Sequence, residues 1–342
     1  NLLTGCNGSG KTTLLEAGYM MAHGRSFRQA RDPFLLRRGE KELQINGVWH
    51  RYGPMYVNVR GRQGKTEIFL QGKNIQRRQD LMQTLPVLVE APQGKRLVDG
   101  LPNERRHWLD GLVMVCHPGM AGEYQRYLRA VMQRNRLLRR RSGWDELDSW
   151  EQQIVAHGKA IVRARHALMT EFNGYLESEE MLTETPLHLE IQAPDYDERT
   201  WLSRLKERRQ DEARTGGLRF GPHCDRIRMI YRQREIRSAG SRGQQKLAAI
   251  ALKMAECALR VQHRQMVPVL LLDDCLEALD RQRQERLLRR LSAAGGQVLM
   301  TAPGGIDIPR DVDIQVHELT DRGLVDLADA GPTVVTGMEE AA

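Results

Sequence analysis

The chain has 342 residues, enough for about two domains and a sizeable core. Its 52 Lys and Arg against 44 Asp and Glu leave a net charge of +8, which suits an acidic partner such as nucleic acid without requiring one. Five cysteines, scattered singly with no CxxC pair, exclude a disulfide framework and a zinc site and point to the reducing cytoplasm; no apolar run reaches the length of a membrane span and no signal peptide is evident.

The chain opens on "NLL", the end of a strand that runs straight into a loop; because it starts at Asn1 and not Met, it is expected to lack its natural N-terminus. Gly5, Cys6, Asn7, Gly8, Ser9, Gly10, Lys11 and Thr12 then match GxxxxGK[ST], with Thr13 following. Glycines let backbone N–H groups turn inward around phosphates without a Cβ clash. Lys11 is expected to reach the β- and γ-phosphates of ATP, and the Thr12 hydroxyl to ligate Mg²⁺. "TTLLEAGYMMAHG" reads as a helix whose N-terminus faces the anion. A glycine-rich turn capping a helix is the plainer alternative, which the Lys-Thr pair argues against. The loop alone does not choose among kinases, GTPases and motor ATPases.

A β-rich stretch follows, "ELQINGVWHRYGPMYVNVRGR" and "KTEIFLQGK". A mainly helical region comes next. In it Tyr124, Tyr127, Leu128, Val131 and Leu138 form one helical stripe, while Arg126, Arg129, Arg134, Arg136, Arg139, Arg140 and Arg141 crowd the rest of the surface. Such a helix suits phosphate contacts; a solvated face that complements the helix dipole is the other reading. Arg105 and Arg106, beside Trp108 and Leu109, are either DNA contacts or structural partners. With 5% aromatic residues, no stacking platform for single strands is expected, so binding should be backbone-directed and sequence-tolerant. His223 in "GPHCD" either lies near the nucleotide or a dimer interface, or is a satisfied turn histidine.

"SAGSRGQQKLAAIALKMAECAL" places Leu247, Ile250, Ala251 and Met254 at helical spacing behind a loop. "VPVLLLDDCLEALD" is an apolar run of strand length that ends in two carboxylates. Asp273 is expected to hold the metal and Asp274 to accept a proton from the attacking water. "QVLMTAP" ends a further strand on Thr301, which either orients water, senses the γ-phosphate or merely ends the strand. Ser241, Arg242, Gly243 and Gln244, shortly before the acidic strand end, resemble the signature motif of ABC-type ATPases. That resemblance implies that the signature of one subunit closes on the nucleotide held by another, so that ATP gates a homodimer.

"HGRSFR", "LVDGLPNERRHWLD", "QRNRLLR", "GPHCD", "SRGQQK" and "LLLDDCLEALD" occur in that order over residues 1 to about 326. Together they resemble the bacterial RecF family of recombinational DNA repair. The resemblance implies an α/β, ABC-type P-loop ATPase head with an inserted mainly helical lobe. It implies an ATP-dependent dimer on single- and double-stranded DNA at gaps or junctions, working with RecR and RecO to load RecA, with slow ATP hydrolysis; it also tilts the arginine helix toward DNA. This chain departs from the family pattern at Glu90, Arg226 and Glu277. The expected domains are residues 1–92 and 214–330 for the ATPase, 93–213 for the lobe, and a disordered tail over 331–342.

Overall fold

The computed structural model describes residues 1–28, 40–50, 53–62, 65–92, 97–140, 144–194, 196–320 and 323–326; Arg141 and the tail expected over 331–342 lie outside them. The first stretch comprises β1 (Leu2–Thr4), α1 (Lys11–His23), β2 (Glu42–His50), β3 (Pro54–Arg62), β4 (Lys65–Leu70), β5 (Lys73–Asn74), α2 (Arg78–Thr84) and β6 (Val87–Glu90). Helix α1 stops at Gly24, which takes the left-handed φ of 64° and donates its N–H to Met20 O. The helical lobe holds α3 (Pro102–Cys116), α4 (Met120–Arg140), α5 (Trp144–Ser178), α6 (Glu180–Thr183), β7 (Leu187–Gln192), α7 (Glu198–Glu207) and α8 (Arg209–Thr215). The chain then returns through β8 (Arg226–Tyr231), β9 (Arg234–Glu235), α9 (Ile236–Ala239), α10 (Arg242–Arg264), β10 (Val269–Leu272), α11 (Arg281–Ser292), β11 (Val298–Thr301), β12 (Val316–Thr320) and β13 (Gly323–Asp326).

The strands of the head sheet run in the order β13-β12-β1-β11-β10-β6. Only the β12–β13 pair is antiparallel. Fully buried Val269–Leu272 in the middle of this sheet explains the unbroken apolar run there. Because β1, β11, β10 and β6 are parallel neighbours, the loops at their C-terminal tips share one edge, where ligands of such sheets collect. Helix α1 packs between this sheet and the antiparallel meander β2–β5. Leu3, Leu15, Met20, Val57, Val59, Ile68 and Leu271 form one core there. Gly47 has no side chain because a Cβ would meet Met21 Sδ of α1 at 2.2 Å.

The lobe packs α4 and α7 against the long helix α5. Trp201 of α7 is fully buried and lies over Gly158 of α5, where a Cβ would stand 2.3 Å from the indole. The boundary expected near residue 213 cuts through a sheet: β7 pairs with β8 from Leu187↔Tyr231 to Gln192↔Arg226. Sequence order hid this pairing, since the two strands are separated by α7 and α8. Among the described residues no helix is long and apolar enough to cross a membrane.

Candidate nucleotide site and basic helix

The phosphate loop joins β1 to α1. Gly5, Gly8 and Gly10 take φ of 138°, 84° and 101°, and at Gly5 a Cβ would come within 2.5 Å of Leu319 O. Only glycine fits that backbone. Buried Lys11 donates through Nζ to Gly5 O at 2.7 Å and Cys6 O at 2.9 Å. Both acceptors are loop carbonyls, so the ammonium can change partners without breaking a carboxylate pair. Ser9 Oγ is buried with no hydrogen-bond partner among the described residues. An orphaned hydroxyl inside a ring of glycines at a helix N-terminus fits a bound phosphate. Gly5 to Thr13 run without a break from the end of β1 into α1.

The carboxylates stand two strands away. Asp273 is 5% exposed at the tip of β10, and its N–H donates to Glu90 O at 2.9 Å. Thr301, fully buried on β11 between β1 and β10, donates to Asp273 Oδ1 at 2.8 Å and accepts from Asp274 N at 2.8 Å. Its hydroxyl is committed to the protein. The Thr301 hydroxyl thereby ties the two aspartates together. Asp274 takes a left-handed φ of 49°, and its carboxyl is raised above the usual range by burial, with the charges of Asp273 and Glu277 adding to it. A raised pKa is what a proton acceptor for water needs at neutral pH.

Lys246, in the second turn of α10, was quoted in the sequence motif but given no role. Its Nζ donates to Asp274 O at 2.6 Å and to Glu277 O at 2.8 Å, and burial lowers its pKa. Helix α10 is thereby bolted to the turn that carries Asp274. Ser241 caps α10 reciprocally: its Oγ accepts from Gln244 N at 3.3 Å, while Gln244 Oε1 accepts from Ser241 N at 2.9 Å. Ser241 and Arg242 are exposed, whereas Gly243 is buried against Ala278 O, where a Cβ would stand at 3.0 Å. Glu277 is exposed and Arg226 opens β8 facing solvent.

"HGRSFR" closes around the phosphate-loop helix. Ser26 donates to buried Glu16 of α1, and Arg28 Nε lies 3.8 Å from the same carboxylate. His23 is buried, stacked on Tyr19 with centroids 3.9 Å apart, and burial lowers its pKa to about 3.

The basic helix divides in two. Arg129, Arg136, Arg139 and Arg140 are exposed, as is Arg126, which pairs with Glu123 at 2.5 Å. Arg134 is not among them, and this corrects the expectation. It is fully buried, donating to Glu151 at 2.9 Å, Glu212 at 2.5 Å and Leu205 O at 2.8 Å. The stripe also loses Leu128, which is 49% exposed. Arg105 is buried and clamps Leu97 O, Val98 O and Ile227 O, so it is structural. Arg106 donates to Asp225 O at 2.9 Å.

"GPHCD" is a hub of the lobe. His223 Nε2 faces Leu218 O at 3.1 Å and must donate, so Nδ1 accepts from Tyr127 OH at 2.7 Å; burial lowers its pKa. Asp225 accepts from Tyr196 and from Arg165, which also binds Asp110 and Pro222 O. Of the two readings of His223, the satisfied turn histidine holds. Among the described residues no group of three or more His, Cys, Asp or Glu side chains is placed to hold a metal ion.

The RecF/RecN/SMC N-terminal-domain profile matches residues 1–303. The "DNA replication and repair protein RecF" of Moorella thermoacetica is 33% identical over 312 residues, covering 90% of this chain and 84% of that one. Its namesake in Magnetococcus marinus is 32% identical over 338 residues, covering 90% and 86%. Among solved structures, the recombination mediator RecF with ATP superposes with a TM-score of 0.76 at 22% identity, covering 96% of this chain and 92% of that one. The Smc head of Pyrococcus furiosus, bound to the C-terminal domain of ScpA, superposes at 0.58 with 13% identity, over 95% and 89%. These two likenesses concern the fold.

Proposed function

This chain belongs to the RecF family of the RecF/RecN/SMC ATPases, and we propose that it is an ATP-gated DNA-binding protein of replication and recombinational repair. The observation that carries this reading is the shared edge of β1, β11 and β10. It sets a glycine loop with an orphaned Ser9 hydroxyl beside two aspartates tied together by Thr301. Gly5 to Thr13 hold the triphosphate, and Thr12 with Asp273 holds Mg²⁺, which neutralises phosphate charge. Ser241, Arg242, Gly243 and Gln244 meet the nucleotide of a second copy, so ATP closes a homodimer. Arg126, Arg129, Arg136, Arg139 and Arg140 contact DNA phosphates. The assembly acts at gaps or junctions with RecR and RecO to help load RecA. Hydrolysis is slow and serves release, with Asp274 as the proton acceptor.

Binding to gapped, single-stranded and duplex DNA with ATP, ADP or no nucleotide tests this, beside Lys11→Ala. The expected result is ATP-dependent, Lys11-dependent binding that prefers gapped DNA. Binding indifferent to nucleotide would overturn the clamp. Asp274→Asn separates an enzyme from a scaffold: an enzyme becomes trapped on DNA with ATP, whereas a scaffold is unchanged.

A further inference from the structure

The outer face of the meander β2–β5, turned away from α1, carries a side-chain set that the nucleotide site does not use. Pairing across the strands lines residues up in rows. One row is Asn46, Asn58, Phe69 and Asn74; the next is Val48 and Tyr56; on the other side stand Gln44, Arg60 and Glu67. Tyr56 is 61% exposed. The Arg60 guanidinium lies over the Phe69 ring, 5.3 Å from its centroid. Asn58 Nδ2 donates to Asn46 Oδ1 at 2.5 Å, which leaves Asn58 Oδ1 buried with no partner. Gln71 braces the tyrosine from below, its side chain binding Tyr56 N at 3.3 Å and Pro54 O at 3.0 Å. The rows enclose a hollow of about 510 Å³.

A half-solvated sheet needs only polar residues on its wet face. This one instead offers two aromatic rings, a guanidinium plane and carboxamides. Aromatic rings stack on any base, and carboxamides match base edges. Val48 is the one large aliphatic side chain exposed in these rows, too little for the apolar centre of a protein interface. Exposed Arg60, Arg62 and Lys65 exceed Glu42 and Glu67 by one, and with Arg62 paired to Glu42 at 3.1 Å the free cations among the described residues of this rim are Arg60 and Lys65, so the rim favours an anion. The low aromatic content led to the expectation of no stacking platform, yet strand pairing gathers Tyr56 and Phe69 on one face.

We propose that this face binds unpaired nucleobases of single-stranded DNA, stacking them on Tyr56 and Phe69, with exposed Asn46 and Asn74 at the base edges and Arg60 on the phosphate. The inference rests on the reading of the chain as a DNA-binding protein. It gives that protein a way to tell the gap from its duplex flanks, since paired bases cannot reach a flat sheet.

The test uses the full chain with ATP, an oligothymidylate and a blunt duplex of equal length, followed by anisotropy. Tyr56→Ala should weaken single-strand binding roughly 5- to 100-fold and leave duplex binding unchanged, while Tyr56→Phe should bind both as the parent does. Photocrosslinking of a 5-bromodeoxyuridine oligonucleotide should map to Tyr56 or Phe69. Unchanged single-strand affinity in Tyr56→Ala, or crosslinks confined to α4, would overturn the inference while duplex binding upheld the broader reading. Absence of binding to either DNA by the parent protein would overturn both.

Discussion

Lys11 of the head and Arg134 of the lobe are both buried cations, and they are held in different ways. Lys11 is satisfied by two carbonyls of a glycine loop, Gly5 O and Cys6 O. Arg134 is satisfied by two buried carboxylates and a helical carbonyl, each on a different element. A loop carbonyl can be exchanged for a phosphate oxygen. A buried carboxylate cannot be released without stranding a charge. The phosphate loop therefore holds a cation that can change partners, and the lobe one that fixes helices in place. Lys246 stands between the two kinds: it holds the backbone of Asp274 and Glu277 and lies 4.0 Å from the Glu277 carboxylate.

The largest effect expected from breaking this contrast is at Arg134. Arg134→Ala should cost about 3–5 kcal/mol in urea unfolding, because Glu212 stays buried without a cation and Glu151 keeps only Arg209. A loss comparable to a surface substitution would show that the lobe does not depend on the seam.

Acid should next separate two helices within the head. His23 is buried and neutral, with Arg25, Arg260 and Glu256 as its charged surroundings and a pKa lowered from 6.5 to about 3. Its folded pKa lies below the unfolded one, so its contribution is whole above pH 6.5 and is lost as pH falls toward 3. Burial alone would raise Glu256, but Lys253 and Arg260 hold it at about 2, so that cluster persists through the same window. Hydrogen exchange at pH 7 and pH 5 should show α1 losing protection before α10. His23→Phe, which keeps the stack and removes the proton site, should flatten the dependence.

Lys246→Met should leave ATP binding intact and slow turnover on the order of 10-fold, by freeing the turn that aims Asp274. Equal turnover would mean that the aspartate is held without it. The smallest effect on stability is expected at Arg136→Ala, under about 0.5 kcal/mol, with the salt dependence of DNA binding reduced by about one counterion. Set beside Arg134→Ala, it asks whether two arginines on one helix have unrelated jobs.

The phosphate loop, the acidic strand end and the capped signature helix were legible because each is local: a handful of contiguous residues carries the geometry. The partners of Thr301, Asp273 and Asp274, were not legible, since they come from the end of β10, 27 and 28 residues earlier. Arg134 and Arg136 are indistinguishable by composition. Only the return of Glu212 and Leu205 from the end of the lobe decides that one is core and the other surface. Lys246 and Asn58 were unreadable for the same reason, because what matters is the element across from them. Helix and strand patterning survives in one dimension, whereas pairing of charges does not.

Strand β1 lies between β11 and β12, which close the chain some 300 residues later. On a ribosome, the strand bearing the phosphate loop thus emerges some 300 residues ahead of both its neighbours. At about 5–20 residues per second its backbone waits roughly 15–60 s with both edges unpaired. The meander β2–β5 pairs only with its own sequence neighbours and needs no such wait. During synthesis this ATPase would carry a finished small sheet and an unfinished nucleotide pocket, so a truncated chain has no means of gripping ATP.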